Sequence, residues 1–145
     1  MTLLELIIAC AILLILSSAA LPIAKYSIIR QKETELRRDL REMKDAIDRY
    51  KDAADRNQIR VEIGSEGYPP DLETLVKGVQ LGASSDRKIR FLRKIPLDPM
   101  TGHAEWGLRA VQDDPDSTSW GGKNVFDVYS KSTATALDGT KYSDW

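Results

Sequence analysis

Residues 3 to 21 read LLELIIACAILLILSSAAL, an apolar run interrupted only by Glu5, Ser17 and Ser18. No other feature limits the possible folds as strongly. About 20 apolar residues cross a bilayer as a helix, and Leu3 to Ala24 reaches that length. A signal peptide, a membrane anchor and a buried core helix are the candidates. No basic region stands before the run, which speaks against a signal peptide, although Ser18, Ala19 and Ala20 could form an A-x-A-like cleavage site. A core helix would carry a polar face, and most of this run has none. The reading is a membrane anchor. Glu5 is then the anomaly. A carboxylate at membrane depth costs about 2.5–3.5 kcal/mol on insertion scales, so it requires a partner.

The rest of the chain has room for one globular domain beside this element, since 145 residues are too few for two full domains. A net charge of -1 argues against a protein that neutralises nucleic acid phosphates, and no nucleic acid partner is expected. Cys10 is the single cysteine, so no intramolecular disulfide can form.

After Pro22 the composition changes to KYSIIRQKETELRRDLREMKDAIDRYKDAADRNQ. Leu36, Leu40, Met43, Ile47, Tyr50 and Ala54 recur at spacings of four and three, the stripe of an amphipathic helix. Glu33/Arg37, Asp45/Arg49 and Asp52/Arg56 have the favourable acid-before-base order at i,i+4. Such a stripe packs on its own domain or in a coiled coil with another protein, and the small number of heptads favours the first. Pro22 kinks or opens a helix without forbidding it. One helix from Leu3 to Asn57 is expected, about 80 Å long at about 1.5 Å per residue.

Beyond Asn57 the chain is rich in turns. Asp71 is a plausible N-cap for a short helix through Lys77, with Gly78 as its stop. Ala104–Ala110 and Val125–Ser130 read as strands, and TATALDGTKYSDW as an irregular tail. The expected class is α+β: a long N-terminal helix, transmembrane then amphipathic, packed on a small antiparallel sheet with a loop-rich C-terminus. The expected divisions are 1–24, the transmembrane half-helix; 25–57, the amphipathic half; and 58–145, a small globular domain.

Catalytic motifs are not found. There is no G-x-S-x-G, Walker loop, Cys–His pairing or H-E-x-x-H, and the only histidine, His103, sits in a turn. No enzymatic activity is expected. The cluster Arg87, Lys88, Arg90, Arg93 and Lys94, interrupted by Phe91, has three readings: a solvated face, a dock for the acidic tail of a neighbouring copy, or a nucleic acid patch. Asp113, Asp114, Asp116, Asp127, Asp138 and Asp144 supply hard oxygen donors off the EF-hand template. They are turn residues, or part of a calcium loop of another geometry.

The start TLLELIIACAILLILSSAALP resembles the processed N-terminus of type IV pilins and type II secretion pseudopilins, with their pattern F-T-L-x-E. GYPPDLETLVKG, IPLDPMTGHAEWGL and VFDVYS resemble, in order, segments of the major pseudopilin of type II secretion systems. The resemblance implies that a prepilin peptidase removes a basic leader and methylates the new amino terminus, here Met1, where the family usually has Phe. It implies a subunit stored as a single-pass protein in a bacterial inner membrane, its C-terminal domain in the periplasm. That subunit polymerises through its helix into a homo-oligomeric filament, periplasmic or extracellular, working with an inner-membrane assembly platform and minor pseudopilins. Glu5 would pair with a positive amino terminus, its own or a neighbour's, and Pro22 would mark a helix break in filaments. A type IV pilus subunit and a non-polymerising membrane-anchored binding module are the alternatives.

The family's calcium loop, S-x-G-A-D-G-x-x-G-G, is replaced here by SKSTATALDGTKYSDW. One calcium ion is expected in this tail. Asp138 and Asp144 would be its side-chain ligands, with Ser130 and backbone carbonyls near Leu137 and Tyr142. The metal-free alternative pins the tail by burying the Tyr142 and Trp145 rings.

Overall fold

The computed structural model describes residues 1–145. One helix, α1, runs from Leu3 to Asp55. The Thr2 hydroxyl starts it by accepting the Glu5 N–H at 3.2 Å, an N-cap that satisfies one of the donors left free in the first turn. Asn57 ends it in the left-handed conformation, φ 55°. The Gln58 amide reaches back to the Ala53 carbonyl at 2.9 Å and the Asn57 amide to Ala54 at 3.0 Å, a Schellman closure. The helix therefore stops two residues short of the expected end.

Pro22 lies inside α1 without interrupting it. The single chain is thus one continuous helix, and the break expected at Pro22 concerns packed copies. Proline deletes one hydrogen bond, that to the Ser18 carbonyl, and a helix of 53 residues retains the bonds on either side. The Ser18 hydroxyl donates to the Ile15 carbonyl at 2.8 Å, just ahead of that site.

The whole predicted stripe, Leu36, Leu40, Met43, Ile47, Tyr50 and Ala54, is buried, and it packs on the chain's own domain. Asp52–Arg56 forms its ion pair at 3.1 Å, but the other two expected pairs do not. Arg49 donates instead to the Phe91 carbonyl at 2.7 Å, and Glu33 and Arg37 turn to the C-terminal tail. A partner offered by the tertiary fold displaces a weak pair on the helix surface.

A short helix, α2, spans Leu72–Lys77, with Asp71 as its N-cap and Gly78 as its stop, φ 83°. Leu75 turns the chain, because its carbonyl accepts both the Phe91 and Leu92 amides at 3.0 Å. The strands form two separate antiparallel pairs where one small sheet was expected. β1 (Val79–Gln80) pairs with β2 (Lys88–Ile89), too short for a sequence signal. β3 (Trp106–Arg109) pairs with β4 (Asp127–Ser130), Trp106 opposite Ser130 and Arg109 opposite Asp127. Both lie inside the predicted strand segments and are shorter.

α1 lies against β4, and the core fills the space between them with Val125, Val128, Trp106 and Tyr142. Gly107 sits opposite Tyr129, and a Cβ there would come within 2.2 Å of the ring. That approach lets the Arg109 guanidinium stack on Tyr129, 4.0 Å from the ring centroid.

Two substitutions test this packing in the full chain held in detergent micelles. Leu40→Ala removes a side chain only 4% exposed, and denaturant unfolding should show a loss of about 2–5 kcal/mol. Gly107→Ala should cost about 1–3 kcal/mol through overpacking against Tyr129. A stability within error of wild type in either case contradicts the packing described.

Candidate membrane and assembly site

The first half of α1 packs on nothing. No residue before Leu36 is buried and the tail reaches back only to Glu33, so about 45 Å of helix stands free of the domain at about 1.5 Å per residue. It is long and apolar enough to span a membrane. Between Leu3 and Ile23, twelve leucines and isoleucines are 49–75% exposed. At roughly 1.5–3 kcal/mol for each side chain fully buried, covering their exposed parts is worth on the order of 10–20 kcal/mol. That matches or exceeds the about 5–15 kcal/mol that holds an ordinary domain folded. They lie on every face, so the helix calls for a surround and not a one-sided dock. The exposed apolar surface runs past the expected boundary at residue 24, through Tyr26 and Ile28.

At its start stand the two residues singled out for assembly. Met1 is 97% exposed, and Glu5 lies in the first turn, where a negative charge suits the helix dipole. Eight ion pairs form within the chain, all between Glu35 and Asp138, and none includes Glu5 or the amino group of Met1. Of the two partners expected for Glu5, the chain's own terminus is not engaged.

The expected metal ligands are scattered among other partners. Ser130 is fully buried, and its hydroxyl donates to Asp98 Oδ2 at 2.5 Å. Asp98, also fully buried, accepts the Met100 amide at 2.8 Å through Oδ1. The pair locks the turn of IPLDPMTGH to the end of β4. Asp138 Oδ1 accepts the Thr140 amide and hydroxyl at 3.0 and 2.5 Å, and Oδ2 faces Arg37 at 3.5 Å. Those bonds, with Arg37 adding to them, hold its carboxyl below the usual carboxylate range. The Tyr142 carbonyl accepts the Trp145 amide at 3.3 Å, and Asp144 stays exposed. Nowhere do three Asp, Glu, His or Cys side chains converge as a metal shell would require. Arg37 stands beside Asp138, and the Ser130 hydroxyl is committed to Asp98.

Arg87, Lys88, Arg90, Arg93 and Lys94 are all exposed, and none takes part in an ion pair within the chain. Phe91, between them, is buried against Tyr50 and unavailable for stacking on a base. His103 is exposed in its turn. Two hollows along α1, of about 580 and 550 Å³, are open troughs lined by polar and charged residues, among them Arg38, Arg41 and Asp45 in one, Arg30 and Glu35 in the other. Sites for small molecules are more enclosed and more apolar than this.

Sequence reasoning missed Asp98, Asn124 and Glu33. Asn124 is fully buried and ties Val111, Gln112 and Trp120 together. Polar residues in turns looked solvated, and only the fold buried them. Glu33 accepts the Leu137 amide at 2.8 Å and the Tyr142 hydroxyl at 2.9 Å.

Burial, reinforced by the hydrogen bond to Glu33, pushes the Tyr142 hydroxyl up to about 12. A folded-state value above the ordinary 10 means that the stabilisation is complete below pH about 10 and lost as pH rises toward 12. Alkaline absorbance titration should reveal a late tyrosine that Tyr142→Phe removes, and wild type should lose stability over that window faster than the variant. Superimposable titrations of the two proteins would rule this out.

Compared with family profiles, curated proteins and solved structures, the chain matches none.

Proposed function

We propose that the chain is a structural subunit that is held in a membrane by the first half of α1 and polymerises through that helix into a pilus-like filament. The observation that carries the proposal is the division of one continuous helix between two environments. Its second half is packed into a domain, while its first half is apolar on all faces and bare. Lipid covers such a surface before assembly, and the helices of other copies cover it afterwards.

Glu5 separates this role from that of a plain anchor. An anchor has no use for a carboxylate in lipid, where its cost is uncompensated. In a filament the charge is tolerable when matched by an opposite one, and the chain supplies no partner of its own. The amino terminus of a neighbouring copy answers that need and sets the register between copies. The N-terminal pattern TLLEL and the order of the later motifs support the same role, in a pseudopilus of type II secretion, with storage in an inner membrane and the domain in the periplasm. Packing among copies is where Pro22 acts, loosening the stretch between Leu14 and Leu21 that is helical in the single chain.

Glu5→Ala should insert in membranes and keep a normally folded domain, yet yield few filaments when expressed in the native host. The measurement is the filament fraction sheared or extracted from cells, against the membrane-inserted fraction. Filament yield equal to wild type would eliminate charge pairing as the basis of assembly. Membrane insertion with no filaments from wild type either would leave a membrane-anchored binding module.

A further inference from the structure

The C-terminal loop has an ordering device that uses only this chain's own charges. Ala136–Trp145 closes on itself through the Thr135–Lys141 bridge, the Ala136 amide on the Thr140 carbonyl at 2.6 Å, and the Trp145 indole N–H on the Thr140 hydroxyl at 2.7 Å. Its ties to the body of the protein run to one side of α1. Glu33 Oε1 accepts from Leu137 and Tyr142, as described above. One turn later, Arg37 faces Asp138 at 3.5 Å and lies 4.0 Å over the Trp145 ring. Two turns further on, Lys44 donates to the Trp145 carbonyl at 3.4 Å while pairing with Asp127 at 3.2 Å. The Tyr142 and Trp145 rings meet edge to face at 5.1 Å, with Tyr142 buried.

We propose that Glu33 and Arg37 of α1 order the C-terminal loop in place of a divalent cation, so that the tail of this chain is independent of calcium. The donor set favours this over a metal. A bound cation would need the Asp138 oxygen that Arg37 faces, and the two positive charges would repel. Glu33 Oε1 already accepts two donors of the loop at hydrogen-bond distance, bonds strengthened by the charge of the carboxylate. Arg37 also gains from the Trp145 ring, since a guanidinium over an indole face is an attractive arrangement. Glu33 and Arg37 flank Leu36, the first buried residue of α1, so the clasp closes where the helix enters the domain. Nothing in it depends on whether the chain assembles.

The test uses the full-length protein in detergent micelles, melted with saturating calcium chloride and with excess chelator, and followed by amide hydrogen exchange of residues 134–145. Wild-type melting and tail exchange should coincide in the two conditions, and high salt should speed tail exchange by screening the clasp. Glu33→Ala and Arg37→Ala should accelerate tail exchange on the order of tenfold while leaving exchange in the Leu36–Ala54 core unchanged. Calcium should not restore it. Glu33→Gln, which keeps an acceptor, and Arg37→Lys, which keeps the charge without the planar stack, should fall between, and they carry the test if an alanine variant unfolds. A calcium-dependent rise in the wild-type melting temperature overturns the proposal. So does recovery of tail protection by calcium in a variant, or tail exchange unmoved by both alanine substitutions.

Discussion

Burial of one face of α1, from Leu36 to Ala54, is the interaction on which the remaining structure rests. The two strand pairs are short, and a two-stranded ribbon is marginal in water by itself. Eight of the 18 residues in the core cluster come from α1, the six of the stripe with Ala46 and Ala53, more than from all the strands together. The helix is therefore the wall against which β4, Phe91, Leu92 and the tail are placed. Its own stability comes from the same contacts, because helix propensity alone contributes little beside the packing of an amphipathic face.

A domain with so little regular sheet must satisfy its loop backbone by other means. Buried side chains of Asp98, Asn124 and Ser130 do so: Asp98 holds the Met100 amide of its own turn and the Ser130 hydroxyl of β4, and Asn124 holds the Val111 amide. No buried side-chain nitrogen or oxygen lacks a hydrogen bond. Such groups are costly when unmet and specific when met, which is how loops such as IPLDPMTGH come to hold one conformation. Arg109 serves similarly at the edge of β3, spanning Asp127, the Ser117 carbonyl and the Tyr129 ring.

One helix thus presents two different surfaces. The second half of α1 loses its apolar face to the domain, and the first half has nothing of its own chain to cover it. Because α1 stays helical on both sides of Pro22, with one hydrogen bond missing there, the domain is joined to the apolar half by helix and not by a loop. The tail, held by charges of that same helix, adds the C-terminus to its second half.

Patterns with a short period were legible from residues alone. The apolar run, the stripe from Leu36 to Ala54, the Asp71 cap and Gly78 stop, and the positions of β3 and β4 all arise from local spacing, and local spacing is what a sequence displays. The two-residue strands β1 and β2 carry too little pattern to be seen, and their pairing is made by Leu75 holding Phe91 and Leu92. Which charges pair was likewise undecided: Glu33 and Arg37 look like partners along a helix until the tail arrives to claim both. Ser130 and Asp138 had the chemistry of ligands, yet only the fold showed Asp98 and Arg37 beside them. Contacts between residues a hundred positions apart depend on the path of the whole chain, so tertiary structure decided them.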